Sequence, residues 1–169
     1  MKNTKEIDIY VVDNDPLFLQ DVKSNFSLDR SYTLYTFSSV QKFLSDMRGK
    51  NENSLSVVII NDMIISHGLN TKSVVEILPM IKNIDKETSV IVLTDGDNRE
   101  LKLSSSDLRP DAFVKNDKML YFKLSPTINR IVCRYELKKS KRNLHIALII
   151  AVIVVTLTII QIVVASIIS

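Results

Sequence analysis

Only three glycines occur in 169 residues, Gly49, Gly68 and Gly96. They lie too far apart to build a Gly-rich phosphate loop of the P-loop or dinucleotide type. The single cysteine, Cys133, excludes an internal disulfide. With only two histidines beside it, His67 and His145, there are too few ligands for an ordinary zinc site. Neither histidine belongs to a pattern that assigns it a role. The net charge of +3 is too mild to point to nucleic acid. One region lacks charge altogether: from Leu144 to Ser169 there is no Asp, Glu, Lys or Arg. All 22 basic and 19 acidic residues therefore fall in the first 143 positions.

What is present in that region is LHIALIIAVIVVTLTIIQIVVASIIS, residues 144–169. A bilayer core needs about 20 apolar residues in helix, and the run satisfies this. Its Val and Ile content would suit a strand in water, but in lipid a lone spanning segment must bond its backbone internally and so must be helical. Thr156, Thr158 and Ser166 can return their hydroxyl bonds to the preceding turn. Gln161 is the one strongly polar side chain inside, read as tolerated rather than as a contact to a partner helix. The flank Lys138 to Arg142, KKSKR, is basic and by the positive-inside rule cytoplasmic. The N-terminal MKNTKEIDIYVV has too short an apolar run for a signal peptide. The expected organisation is a soluble domain over 1–137, a basic juxtamembrane segment over 138–143 and a transmembrane helix over 144–169, inserted after synthesis.

Ahead of this segment, five short apolar runs alternate with helical patterns. The strands are expected at 7–12 (IDIYVV), 32–37 (YTLYTF), 55–61 (LSVVIIN), 89–94 (SVIVLT) and 111–115 (DAFVK). Pro16 suits the first turn of a helix, and Phe18, Val22 and Phe26 follow at helical spacing. Ser38 or Ser39 caps a second helix with apolar Val40, Phe43, Leu44 and Met47. A third helix is expected over about 71–84. A weaker one lies within the polar stretch 95–110. The last soluble helix is expected to open at Ser125-Pro126, with Ile128, Ile131, Val132 and Tyr135 as its apolar stripe. Cys133 reads as a small packing residue on that helix. Repeated strand–helix alternation predicts an α/β fold, a doubly wound parallel sheet with helices on both faces. In such sheets function gathers at the carboxyl ends of the strands.

The residues at those ends are Asp13, Asn14 and Asp15 after the first strand, Asp62 after the third, Thr94 closing the fourth and Lys115 closing the fifth. Taken singly, each has an ordinary reading. Asp13 and Asp15 suit a helix cap, Asp62 and Thr94-Asp95-Gly96 suit turns, and Lys115 suits a solvated surface. Together they form a constellation with chemistry. Carboxylates at adjacent strand ends suit a hard cation such as magnesium. A lysine pairs with a carboxylate or phosphoryl oxygen, a threonine hydroxyl donates to the same oxygen, and a carboxylate held this way can attack phosphorus.

This set, in this order, resembles the response-regulator receiver domain of two-component signalling over about residues 6–136. The matching pieces are VVDNDP (11–16), VVIIND (57–62), VIVLTD (90–95) and AFVKND (112–117). The resemblance implies a flavodoxin-like strand order, 2-1-3-4-5. It implies Asp62 as phosphoacceptor, Mg2+ held by Asp13, Asn14 and Asp62, Thr94 reading the phosphoryl group and Lys115 pairing with Asp62 or its phosphate. A histidine kinase or phosphotransfer protein is the implied donor. Output is then expected to pass by contact with an unknown downstream protein at the bacterial cytoplasmic membrane, without nucleic acid, or the domain serves as a phosphate sink. No enzymatic turnover is expected beyond magnesium-dependent phosphorylation and dephosphorylation of the domain itself. The sequence departs from the family at four places. Asn14 stands at the second acidic position, Ser66 and Asn116 stand where prolines are usual, and Ala112 occupies the aromatic position, with Phe113 one place nearer Lys115. Asn14 and the missing prolines favour a second reading, a pseudo-receiver serving as a constitutive interaction module, while Ala112 speaks against the usual threonine–aromatic switch. A hydrolase of the same topology would need a phosphate loop or nucleophile elbow, and neither is there.

Overall fold

The computed structural model describes residues 7–26, 32–49, 54–62, 74–95 and 109–168. Five strands form one parallel sheet: β1 (Ile7–Val12), β2 (Tyr32–Phe37), β3 (Leu55–Asn61), β4 (Ser89–Thr94) and β5 (Ala112–Lys115). Their spatial order is β2-β1-β3-β4-β5, the order expected. Helices α1 (Pro16–Phe26), α2 (Val40–Arg48) and α3 (Val74–Ile84) connect them, and α4 (Leu120–Ile168) follows β5. The polar stretch 95–110, with its weakly patterned helix, lies almost wholly outside the described residues, as do Ser66 and His67.

Alternation along the strands makes two cores. On one face Tyr10, Val12, Val58, Ile60, Val90 and Val92 pack with Phe43, Leu44 and Met47 of α2 and with Ile77, Leu78 and Ile81 of α3. Tyr10 stacks on Tyr35 at 5.1 Å and meets Phe43 at 5.9 Å between ring centroids. Ile9, Val11, Val57, Ile59, Ile91 and Leu93 point the other way and are equally buried. Val22 of α1 and Leu120, Leu124 and Ile128 of α4 are the buried helical residues left to cover that second face. Burial on both faces explains why β3 reads as a continuous apolar run rather than an alternating one. In α1, Phe18 is half-buried, and Phe26 offers no described side chain.

One boundary differs from the sequence reading. The last helix does not open at Ser125-Pro126; it begins at Leu120, and Pro126 sits inside it. Asp117 is the reason. Its carboxylate accepts the Met119 N–H at 3.0 Å and its carbonyl accepts the Leu120 N–H at 2.9 Å, which caps the helix a turn and a half earlier. Burial of Leu120 and Leu124 then offsets the backbone bond that Pro126 cannot make.

The chain divides into two compact units, one ending at Asn129 and the other running from Arg130 to Ser169. The second is helical through Ile168. It contains the uncharged run, which is long and apolar enough to cross a membrane and has none of its surface buried. The hydroxyls of Thr156 and Thr158 donate to the carbonyls of Ile153 and Val155, each at 2.8 Å, so these polar groups are satisfied within the helix.

Candidate functional site

The register of the sheet brings the candidate residues level with one another. Val12 pairs with Ile60, so continuing β1 by two residues brings Asn14 level with Asp62. Asn61 pairs with Leu93, which puts Asp62 level with Thr94, and Thr94 itself pairs with Lys115. One row at the carboxyl edge therefore runs Asn14, Asp62, Thr94, Lys115. Asp13 and Asn61 share the row before it.

Asp13 is only 1% exposed. Its backbone N–H is tied to the Phe37 carbonyl at 3.0 Å, which carries the β1–β2 ladder one residue past the strand. Its Oδ1 accepts the Asp15 N–H at 2.8 Å and its Oδ2 accepts the side-chain amide of Asn61 at 2.9 Å. Burial pushes the Asp13 carboxyl above the ordinary aspartate pKa, and the hydrogen bonds from Asp15 and Asn61 pull part of the way back. Asp15 is different. It is exposed, and its Oδ1 accepts the Leu17 N–H at 2.9 Å, which makes it the N-cap of α1. Asn14 between them is exposed.

Asp62 is half-buried just beyond β3. Thr94 is 1% exposed, and its hydroxyl finds no hydrogen-bond partner among the described residues. Its carbonyl is occupied, accepting the Asn116 N–H at 2.9 Å. An unsatisfied buried hydroxyl costs about 1–3 kcal/mol, so Thr94 Oγ1 is a donor in want of an acceptor. Lys115 is exposed and makes no ion pair among the described residues. Asp117, two residues on, is held below the ordinary aspartate pKa by a hydrogen bond from Lys123 at 2.6 Å and, to a smaller extent, by the Lys115 charge.

The donor set offered to a cation consists of the Asp13 and Asp62 carboxylates and the Asn14 side-chain oxygen. These are hard oxygen ligands of the kind magnesium takes. The Asp13 carboxylate has about four lone-pair sites and accepts from Asp15, Asn61 and Asn14, so it keeps capacity for a cation. The set fits the metal with one negative charge fewer than three acids would supply. Correspondingly, among the described residues no three His, Cys, Asp or Glu side chains gather as a ligand group.

Two participants escape a reading of the sequence. Asn61 is one, although a polar residue closing an otherwise apolar strand beside Asp62 is a usable signal. The other is Tyr121, whose hydroxyl donates to Asp21 Oδ2 at 2.6 Å and joins α4 to α1. Nothing local in the sequence announces a contact between residues so far apart.

No family model and no curated protein matches the sequence. Among solved structures the chain is similar to a response regulator receiver domain protein from Clostridium thermocellum, with 25% identity and a TM-score of 0.63 over 78% of this chain and 98% of that one. The BeF3-activated receiver domain of DrrB is 27% identical, with a TM-score of 0.56 over 75% of this chain and 97% of its own. The response regulator DrrB of Thermotoga maritima is 26% identical, with a TM-score of 0.58 over 77% of this chain and 54% of that one. The chain has the flavodoxin-like receiver fold, and these neighbours support a role in two-component signalling.

Proposed function

We propose that the protein is a membrane-anchored phospho-receiver that is phosphorylated on Asp62 and signals by protein contact. The observation that carries this reading is the buried Thr94 hydroxyl, without a hydrogen-bond partner among the described residues and standing in one row with Asp62 and Lys115. A phosphoryl oxygen on Asp62 would be the acceptor that hydroxyl lacks.

In the transfer, an Asp62 carboxylate oxygen bonds to phosphorus as the phosphorus–nitrogen bond of a donor phosphohistidine breaks. The imidazole keeps the electron pair and takes a proton from water. Thr94 donates one hydrogen bond to the transferred group, and Lys115 swings in from solvent to add positive charge. Asp13 and Asn14 would hold magnesium with Asp62. The metal, when bound, offsets the charge that accumulates where two carboxylates meet a phosphoryl group. The donor is a histidine kinase or phosphotransfer protein. The domain lies on the cytoplasmic side, and the apolar part of α4 anchors it.

The test is incubation of the full chain, in detergent micelles, with a small-molecule phosphodonor and magnesium, followed by intact mass. A single phosphoryl adduct, lost in Asp62→Asn and lost on chelation, is expected. Absence of the adduct at saturating magnesium would reject the phospho-receiver. It would favour the second reading, a constitutive interaction module, to which the neutral Asn14 lends support.

A further inference from the structure

Asn61 is the one polar residue of β3 that faces the buried carboxylate. The contact is specific in a way the rest of the Asp13 environment is not. Asp13 is buried at 1% exposure, so water does not set the orientation of its carboxylate. N–H donors do. The Asp15 N–H, at 2.8 Å, is two residues away and belongs to the same turn, so it moves with Asp13. The Asn61 amide, at 2.9 Å, comes from the neighbouring strand and from the residue immediately before Asp62. It therefore ties the Asp13 carboxylate to the strand bearing the acceptor. The neutral Asn14 increases what depends on it. With an amide at that position, Asp13 and Asp62 are the only carboxylates of the ligand set, and their mutual placement carries the charge complementarity for a divalent cation.

We propose that Asn61 is a positioning residue for the cation site, its side-chain amide orienting the Asp13 carboxylate so that Asp13 and Asp62 act on one divalent ion. The inference rests on the phospho-receiver reading and adds to it a residue that touches neither the metal nor the phosphoryl group. Groups that hydrogen-bond a metal ligand in this way change metal affinity by about 10–100-fold when removed.

The experiment uses the full chain in detergent micelles and Mg2+ alone as the probe, with affinity read from NMR shifts of the Asp13 and Asn14 backbone amides. Asn61→Leu keeps the volume and removes the donor, and it is expected to weaken Mg2+ binding by about 10–100-fold. Asn61→Gln, which retains an amide on a longer stem, is expected to recover part of the loss. In the unaltered protein the Asn61 side-chain NH2 resonances should shift as Mg2+ binds. A merely structural Asn61 would lower the melting temperature of the metal-free protein and leave the Mg2+ affinity of the folded fraction unchanged. A folded Asn61→Leu protein with unaltered Mg2+ affinity would overturn the proposal while leaving the phospho-receiver intact. Should Asn61→Leu not fold, an Asn61 amide signal indifferent to saturating Mg2+ would overturn it equally. If the unaltered protein binds no Mg2+, the phospho-receiver reading falls and this inference falls with it.

Discussion

Asp13 and Asp15 stand two residues apart and do different work. Asp15 is a cap: exposed, with one carboxylate oxygen on the Leu17 N–H. Asp15→Ala is expected to cost about 1 kcal/mol of stability, measured by denaturant melts, and to leave magnesium affinity nearly unchanged. Asp13 is buried with its pKa raised. A carboxyl whose folded pKa exceeds its unfolded value favours folding when protonated and loses that contribution as pH rises through the folded pKa. At neutral pH the ionised Asp13 is thus a net cost to the metal-free domain. Asp13→Asn should raise its melting temperature at pH 7, by a margin that shrinks as the pH falls toward the raised pKa, and should weaken magnesium binding sharply. Asn14→Asp should strengthen that binding by restoring a charge. Thr94 admits the same separation of stability from function. Thr94→Val removes a hydroxyl that has no partner among the described residues, so the unliganded domain should be as stable or about 1 kcal/mol more stable. Binding of the phosphoryl mimic beryllofluoride should weaken, as a fluorescence or NMR titration with magnesium present would register. At this scale the strand ends are legible in the sequence, because each follows an apolar run. The difference between Asp13 and Asp15 is not, because it depends on tertiary burial of Asp13, which also places its carboxylate on Asn61, 48 residues on.

Strand boundaries are the most legible elements of the chain. β1, β2, β3 and β4 coincide with their apolar runs, and the alternation with helices carries the parallel order. Buried on both faces, β3 and β4 have no room for polar residues except at their ends, so composition marks their limits. Helix limits depend on caps, and caps compete. Ser125-Pro126 is a plausible start, but Asp117 captures two N–H groups first, and the apolar Leu120 and Leu124 reward the longer helix. Ser39 sits at the N-cap of α2 as expected, yet its hydroxyl donates to Gln41 at 2.9 Å instead of accepting a backbone N–H. Phe43, Leu44 and Met47, all buried, hold that helix through packing. The placement of Pro126 is open to direct measurement. At the first turn of a helix proline is nearly harmless, whereas seven residues into α4 it forfeits the bond to the Phe122 carbonyl. Pro126→Ala is therefore expected to stabilise the protein by roughly 1–3 kcal/mol. A neutral effect in thermal or denaturant unfolding would instead favour a helix that opens at residue 125.

For the molecule as a whole, the decisive contrast is between two kinds of apolar surface. In the sheet unit, the large apolar side chains of the central strands β1, β3 and β4 are covered on both faces. In the second unit every described apolar side chain from Leu144 onward is exposed, Leu144 itself at 69% and Ile162 at the same value. An apolar patch of that extent marks a site of interaction with a membrane or another protein rather than a surface left to water. Residues 144–168 extend about 37 Å as helix, against a hydrocarbon core of about 30 Å, so the run suffices with room for tilt. The internal hydroxyl bonds of Thr156 and Thr158 suit a medium that offers no partners. Ahead of the run, Lys138, Lys139, Lys141 and Arg142 carry four positive charges within five residues. If α4 crosses a membrane, such a cluster would be retained on the cytoplasmic side, where anionic lipids attract it by about 1 kcal/mol per residue near the surface. Salt can undo that attraction but cannot undo burial of the apolar run, which at about 25 cal/mol per Å² far exceeds it. The intact chain is therefore expected to stay in the membrane fraction through high-salt and alkaline washes, and truncation before Leu144 to release a folded domain to the supernatant. A reporter joined after Ser169 should report a non-cytoplasmic location, and one joined at the N-terminus a cytoplasmic one. Reversing the flank, by Lys138, Lys139, Lys141 and Arg142 to Glu, should make the orientation mixed while leaving membrane retention intact, because orientation follows the charges and retention follows the apolar length. Release of the unaltered chain by salt alone would mean that the charges hold it to the surface and that α4 does not cross.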